Sequence, residues 1–172
     1  MTVDVVVLNG GSSAGKTSIG RCLQDLLPRP WLLMGVDRLI EVAPASLVSY
    51  GPSGEVVLGE SWRELETAWS AGVAAMARAG AGVIIDDVFL DGAASQERTR
   101  SQLYGLHVLW VGVHCSPEAA TARELARGDR PAGMAALQAT VVHRDVDYDL
   151  VVDSSTASAE ECARRIADRL DV

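Results

Sequence analysis

The residues best suited to chemistry stand in one short stretch, Gly10-Gly11-Ser12-Ser13-Ala14-Gly15-Lys16-Thr17, followed by Ser18. The first six are small, so successive backbone N–H groups can turn inward around a phosphate without side chains blocking the approach. Lys16 can reach the β- and γ-phosphates of a nucleotide as a point charge, and the Thr17 hydroxyl suits the Mg²⁺ that travels with it. The same spelling also fits a plain Gly/Ser turn between a strand and a helix. The flanks favour the phosphate loop. Val3 to Leu8 reads V-D-V-V-V-L, a strand buried on both faces, and Ile19, Cys22, Leu23, Leu26 and Leu27 then recur on one helix face until Pro28 and Pro30 stop it. A helix starting there turns the positive end of its dipole toward the phosphates.

Three further groups of charged residues follow the same logic. Asp37 comes directly after the apolar run Trp31–Val36, at the strand edge where open parallel sheets bind ligands. It reads either as the N-cap of a short helix Arg38–Val42 or as a base taking a proton from an acceptor hydroxyl. Val83-Ile84-Ile85 leads into Asp86-Asp87, a Walker-B-like element. Asp86 is assigned to magnesium and Asp87 to magnesium or the acceptor, since two adjacent carboxylates are costly to bring together without a cation. The most concentrated positive segment spans Arg123, Arg127 and Arg130. It is either a helix end that complements its own dipole or a lid whose Arg127 and Arg130 stabilise a transferring phosphoryl group, with Arg123 on the nucleotide base.

The remaining elements must position these groups. Residues 43–59 read as a long connection with few periodic signals, and a helix beginning near Ser61 carries Trp62, Leu65, Trp69, Val73 and Met76 at helical spacing. Tyr50, Trp62 and Trp69 are core residues or walls of an acceptor pocket. Ala93–Leu103 is a helix whose Gln96, Glu97, Arg98 and Arg100 form a solvated face. His107–Val113 supplies the fourth strand, Ser116-Pro117-Glu118 starts the next helix, Tyr148–Asp153 is the fifth strand and Ala159–Leu170 a closing helix. Strand and helix signals alternate throughout, so the expected fold is a single α/β domain over 1–172, a five-stranded parallel sheet with helices on both faces and an arginine lid. The strand order 2-3-1-4-5 is expected by analogy with small P-loop kinases.

Composition excludes other classes. The formal net charge of −8 argues against nucleic acid or an anionic membrane surface as partner, and no uncharged apolar run reaches the length of a membrane span. A cytoplasmic location is expected. Cys22, Cys115 and Cys162 are odd in number and far apart, so neither a disulfide framework nor a zinc site is expected, and His107, His114 and His143 are read as structural.

Four stretches together resemble the chloramphenicol phosphotransferase family over nearly the whole chain. They are Leu8–Lys16, Gly35-Val36-Asp37 with Leu39-Ile40-Glu41, Ile84–Leu90 including Phe89, and Ala126–Arg130 with Ala132–Ala135. The resemblance implies a fold similar to shikimate and adenylate kinases, ATP or GTP with Mg²⁺, Asp37 as base, and transfer of the γ-phosphoryl group to a hydroxyl of a small antibiotic. Phe89 joins Asp37, Asp87, Tyr50, Trp62 and Trp69 as acceptor residues. Pro44 to Glu60 is shorter and differently composed than in the chloramphenicol enzyme, and related enzymes act on nucleoside antibiotics such as capuramycin. The competing readings are a metabolite kinase and a nucleotide-binding switch or accessory ATPase.

Overall fold

The computed structural model describes residues 2–51, 56–127 and 133–170. Its centre is β1 (Val5–Asn9), all five residues of which are buried. Parallel strands flank it on both sides: β5 (Gly82–Asp87) and then β2 (Trp31–Gly35) on one, β6 (Val108–His114) and then β7 (Leu150–Asp153) on the other. The order β2-β5-β1-β6-β7 is the expected order of the five predicted strands.

The alternation of side chains along β1 builds two cores. Val6 and Leu8 face α1 (Lys16–Leu26) and α7 (Ala159–Ala167), where Ile19, Leu23, Cys162 and Ile166 are fully buried. Val5 and Val7 face the other way, toward Val73, Ala74 and Ala77 of α3 (Trp62–Arg78). Each completely buried valine contributes about 1.5–3 kcal/mol relative to exposure. The closing helix starts at a capping box, in which Ser158 and Glu161 satisfy each other's backbone N–H groups.

Two sequence expectations need correction. The region 43–59 contains structure: a 3₁₀ turn (Ala45–Leu47), then an antiparallel pair of β3 (Val48–Tyr50) and β4 (Val56–Leu58), with Tyr50 opposite Val56. Strands of three residues are too short to display alternation, so only the glycines and prolines around them were conspicuous. Gln96, expected on the solvated face of α4 (Ala93–Gln102), is buried. Its side-chain amide donates to the Asp147 carbonyl at 2.6 Å and accepts from the Asp147 N–H at 3.0 Å, so a polar residue is consumed in holding a neighbouring segment.

The C-terminal end of β1 is fixed by a buried polar cluster. Asn9 is wholly buried, and its amide nitrogen donates to the Val142 carbonyl at 2.8 Å and to the Tyr148 hydroxyl at 2.5 Å, while its oxygen accepts the Phe89 N–H at 2.9 Å. The Tyr148 hydroxyl, which accepts from Asn9, also forms a hydrogen bond with His143, whose Nδ1 lies 2.7 Å away. His143 also stacks on His114 with ring centroids 4.0 Å apart. Loss of water, together with the charges of His114 and Lys16, lowers its pKa to about 4, and burial pushes Tyr148 up to about 12.

Two predictions follow from this packing. A Cβ added at Gly82 would lie 2.5 Å from the Trp31 ring, so Gly82→Ala should cost about 1–3 kcal/mol by overpacking; a denaturant midpoint equal to wild type would contradict this contact. For His143, the unfolded chain takes up a proton that the native cluster refuses as pH falls from about 6.5 toward about 4. The stability of wild type relative to His143→Gln should therefore be constant above that window and fall within it, as read from thermal unfolding at a series of pH values.

Candidate active site

The phosphate loop lies between β1 and α1, and its small residues have separate physical reasons. Gly15 adopts a left-handed conformation with φ of 86°. At Gly10 a Cβ would meet the Val113 carbonyl oxygen at 2.6 Å, and at Gly11 it would press on the backbone of Gln138 and Ala139 at 3.2 Å. Both glycines thus serve close packing of neighbouring elements as well as an open loop. Ala14 is buried beneath the loop.

Lys16 and Thr17 open α1 and meet Asp86 at the end of β5. The Thr17 hydroxyl donates to Asp86 Oδ2 at 2.5 Å, and the Lys16 ammonium lies 3.6 Å from Asp86 Oδ1 while donating to the Gly11 carbonyl at 3.0 Å. Both Lys16 and Asp86 are largely buried, so neither charge is well tolerated without the other or a ligand. The Ser13 hydroxyl is buried and has no hydrogen-bond partner, and Ser13 itself holds a positive φ of 60°. An orphaned hydroxyl, an open backbone turn, an ammonium and a hydroxyl–carboxylate pair match the needs of a nucleotide triphosphate with magnesium. Among the described residues no group of three or more His, Cys, Asp or Glu could hold a metal ion, so phosphate oxygens would have to complete the shell around Thr17 and Asp86.

Asp86 and Asp87 do not share a face. Consecutive strand residues point to opposite sides, so Asp86 meets the loop while Asp87 turns toward α3. The two carboxylates still repel each other, and the Lys16 ammonium offsets part of that repulsion. A cleft of about 690 Å³ is lined by Ser12, Ser13, Lys16, Thr17, Ser18 and Asp86. Asp87 instead lines a smaller cavity of about 80 Å³ with Trp62, Val56, Leu58, Met134 and Gln138. Loss of water raises the Asp87 carboxyl to about 6, opposed by the Val88 N–H that it accepts at 2.7 Å and reinforced by Glu66 and Asp86.

Asp37 lines both the cleft and the smaller cavity. It occupies the first turn of α2 (Val36–Val42), whose N-cap is Gly35, so the cap reading of Asp37 is corrected: the helix begins earlier than expected. Trp62 is buried and forms a wall of the cavity that Asp37 and Asp87 also line. Trp69 lines an adjoining space of about 30 Å³, against Met34 and Val73, that shares Val36, Glu66 and Asp87 with the Trp62 cavity. Phe89 is buried against Trp110 with ring centroids 6.4 Å apart, and with Asp87 it lines a further cavity of about 130 Å³ rather than the Trp62 cavity. Tyr50 ends β3.

The arginine segment divides. Arg123, half-buried on α5 (Pro117–Arg127), donates to the Ser154 carbonyl at 2.5 Å and approaches the Ser13 carbonyl at 3.4 Å and Cys115 Sγ at 3.5 Å. It ties α5 to the phosphate loop and to the turn after β7. Arg127 ends α5, and Arg130 lies outside the described residues.

Two residues were missed by sequence reasoning. Glu124 is buried, and its two oxygens accept the N–H groups of Gly133 at 2.8 Å and Ala135 at 2.7 Å at the start of α6 (Met134–Val141). Gln138 on α6 accepts the Ser12 N–H at 2.8 Å. A glutamine amid apolar helix residues was the available signal, but it carries no charge and sits in no motif. No helix among the described residues is long and apolar enough to cross a membrane.

Known proteins agree with this geometry. The family described as chloramphenicol phosphotransferase-like protein matches residues 3–171. Putative O-phosphotransferases of Mycobacterium tuberculosis strains CDC 1551 and H37Rv are each 31% identical over 188 residues, covering 94% of this chain and 80% of the relative. Among solved structures, a sugar kinase from Janibacter sp. HTCC2649 superposes with a TM-score of 0.74 at 21% identity, covering 99% of this chain and 95% of its own. The Mycobacterium tuberculosis APS kinase CysC, in complex with AMPPNP and APS, does so with a TM-score of 0.68 at 16% identity, covering 99% of each chain. At these identities the structural likeness establishes the P-loop kinase-like fold, and the sequence match establishes the kinship: the chain belongs to the chloramphenicol phosphotransferase-like family.

Proposed function

We propose that this protein transfers the γ-phosphoryl group of ATP or GTP to a hydroxyl of a small metabolite. The observation that carries the reading is the position of Asp37, on the shared wall between the cleft of the phosphate loop and the cavity of Trp62. A carboxylate there can face both reactants. The loop from Gly11 to Gly15 cradles the phosphates, and Lys16 draws charge from the β- and γ-oxygens. Thr17 and Asp86 are the residues that would hold magnesium, which neutralises phosphate charge. Asp37 orients the acceptor hydroxyl and takes its proton as the new P–O bond forms and the bond to the nucleoside diphosphate breaks. Phosphoryl transfer depends chiefly on positioning and charge stabilisation, so Arg127 and Arg130 need only close on a correctly placed phosphate.

The acceptor walls are largely apolar, with Val56, Leu58, Leu90 and Trp62 opposite Asp37 and Asp87. They suit an acceptor with both an apolar face and hydroxyls. A second reading, in which the acceptor is an antibiotic such as chloramphenicol or a nucleoside antibiotic such as capuramycin, is favoured by the family and by these same walls. Relatives that share the fold include kinases of a sugar and of APS, which keeps ordinary metabolites first.

The direct test incubates the protein with radiolabelled ATP or GTP and a panel of hydroxylated metabolites and antibiotics, with product identified by mass spectrometry. Nucleotide hydrolysis with no phosphorylated acceptor would favour the switch or accessory ATPase. Asp37→Asn should lower kcat by about 100-fold or more while leaving nucleotide affinity within about twofold; unchanged turnover removes Asp37 as the base. Lys16→Ala should depress transfer to every acceptor by a similar factor of about 100 or more, because the charge it supplies acts on the donor, and wild-type rates in that variant would defeat the nucleotide assignment.

A further inference from the structure

Gln138 touches the phosphate loop and also lines the cavity assigned above to the acceptor. It is only 5% exposed. Its Oε1 accepts the Ser12 N–H at 2.8 Å, and a backbone N–H can only donate. That single contact fixes the polarity of the amide, because the flipped orientation would set two donors against each other. Nε2 is therefore the donor of the amide, and no hydrogen bond joins it to the described residues. An amide N–H₂ in that position can donate to an oxygen placed in the cavity that Gln138 lines.

The mounting of Gln138 is rigid. Glu124 holds the first turn of α6 through two backbone N–H groups, and Gly11 lets the backbone of α6 lie directly on the loop, where a Cβ would meet Gln138 at 3.2 Å. The loop and α6 are thereby packed as one body. Asp37 and Asp87 line the same cavity.

Resting on the transfer reading, we propose that Gln138 is an acceptor-binding residue: Nε2 donates to an oxygen of the acceptor while Oε1 keeps hold of the Ser12 N–H. The acceptor must then carry a hydrogen-bond-accepting oxygen, whether hydroxyl, ether or carbonyl, besides the hydroxyl that faces Asp37. One side chain sets the acceptor's place relative to the loop that holds the donor phosphates.

Gln138→Glu tests this with little change in shape. A carboxylate can still accept the Ser12 N–H but has no donor for the acceptor, whereas Gln138→Met loses both contacts. The panel is chloramphenicol, capuramycin, shikimate and gluconate, and the probe is whichever the wild type phosphorylates fastest. Gln138→Glu should raise KM for that probe about tenfold or more, while the Kd of a fluorescent ATP analogue stays within about threefold. Gln138→Met should weaken both. Thermal unfolding within a few degrees of wild type shows that each variant folds. If Gln138→Glu leaves the probe's KM within about twofold of wild type, or weakens nucleotide and probe alike, the proposal fails while the transfer reading stands. If wild type phosphorylates no member of the panel and only hydrolyses nucleotide, the transfer reading fails and takes this one with it.

Discussion

The chemistry depends on one buried contact, Asp86 held between the hydroxyl of Thr17 and the ammonium of Lys16. A carboxylate this far from water is costly unless its charge is matched. Matching it requires the end of β5 and the start of α1 to come within hydrogen-bonding distance, and that in turn requires β5 to pair directly with β1. The strand order, the depth of the loop and the polarity of the cleft all follow from satisfying this group. Lys16 also bonds to the Gly11 carbonyl, so the same ammonium links both limbs of the loop before any phosphate arrives.

The strand that delivers Asp86 also separates two kinds of surface. Its alternation puts one carboxylate on the loop side and the next, Asp87, on the α3 side, where loss of water raises its pKa to about 6. One environment favours a charged group coordinated by cations; the other leaves a carboxyl poised to ionise or to donate. Asp37 stands where the two spaces share a wall. Two reactants that must meet at a single phosphorus atom can thus occupy pockets of opposite character without either compromising the other.

Much of this was legible in the residues themselves. The loop and the five strands were readable because the strands are largely apolar runs and the loop has a spelling dictated by phosphate geometry, while the strand order came from analogy with small P-loop kinases. Asp37 and Asp86 were readable because carboxylates immediately after such runs lie at the ligand-binding edge. What escaped notice belongs to tertiary structure. Glu124 looks like a surface ion-pair residue until its two backbone partners at Gly133 and Ala135 are placed beside it. Phe89 lies in a family-like stretch, yet its ring is committed to the core against Trp110. Arg123 shows the same limit, since its charge suggested a ligand while its bonds to the Ser154 and Ser13 carbonyls make it a strut.

The β3–β4 pair has a consequence for how such a protein diversifies. It forms a two-stranded sheet of its own, unconnected by ladder hydrogen bonds to the five-stranded one, yet Val56 and Leu58 line the cavity proposed for the acceptor. Substitutions or changes of length there can reshape what enters while leaving the buried carboxylate and its cations undisturbed. Selection can therefore retune substrate choice at small thermodynamic risk, and a lineage built on this frame can try new acceptors without relearning how to handle a nucleotide.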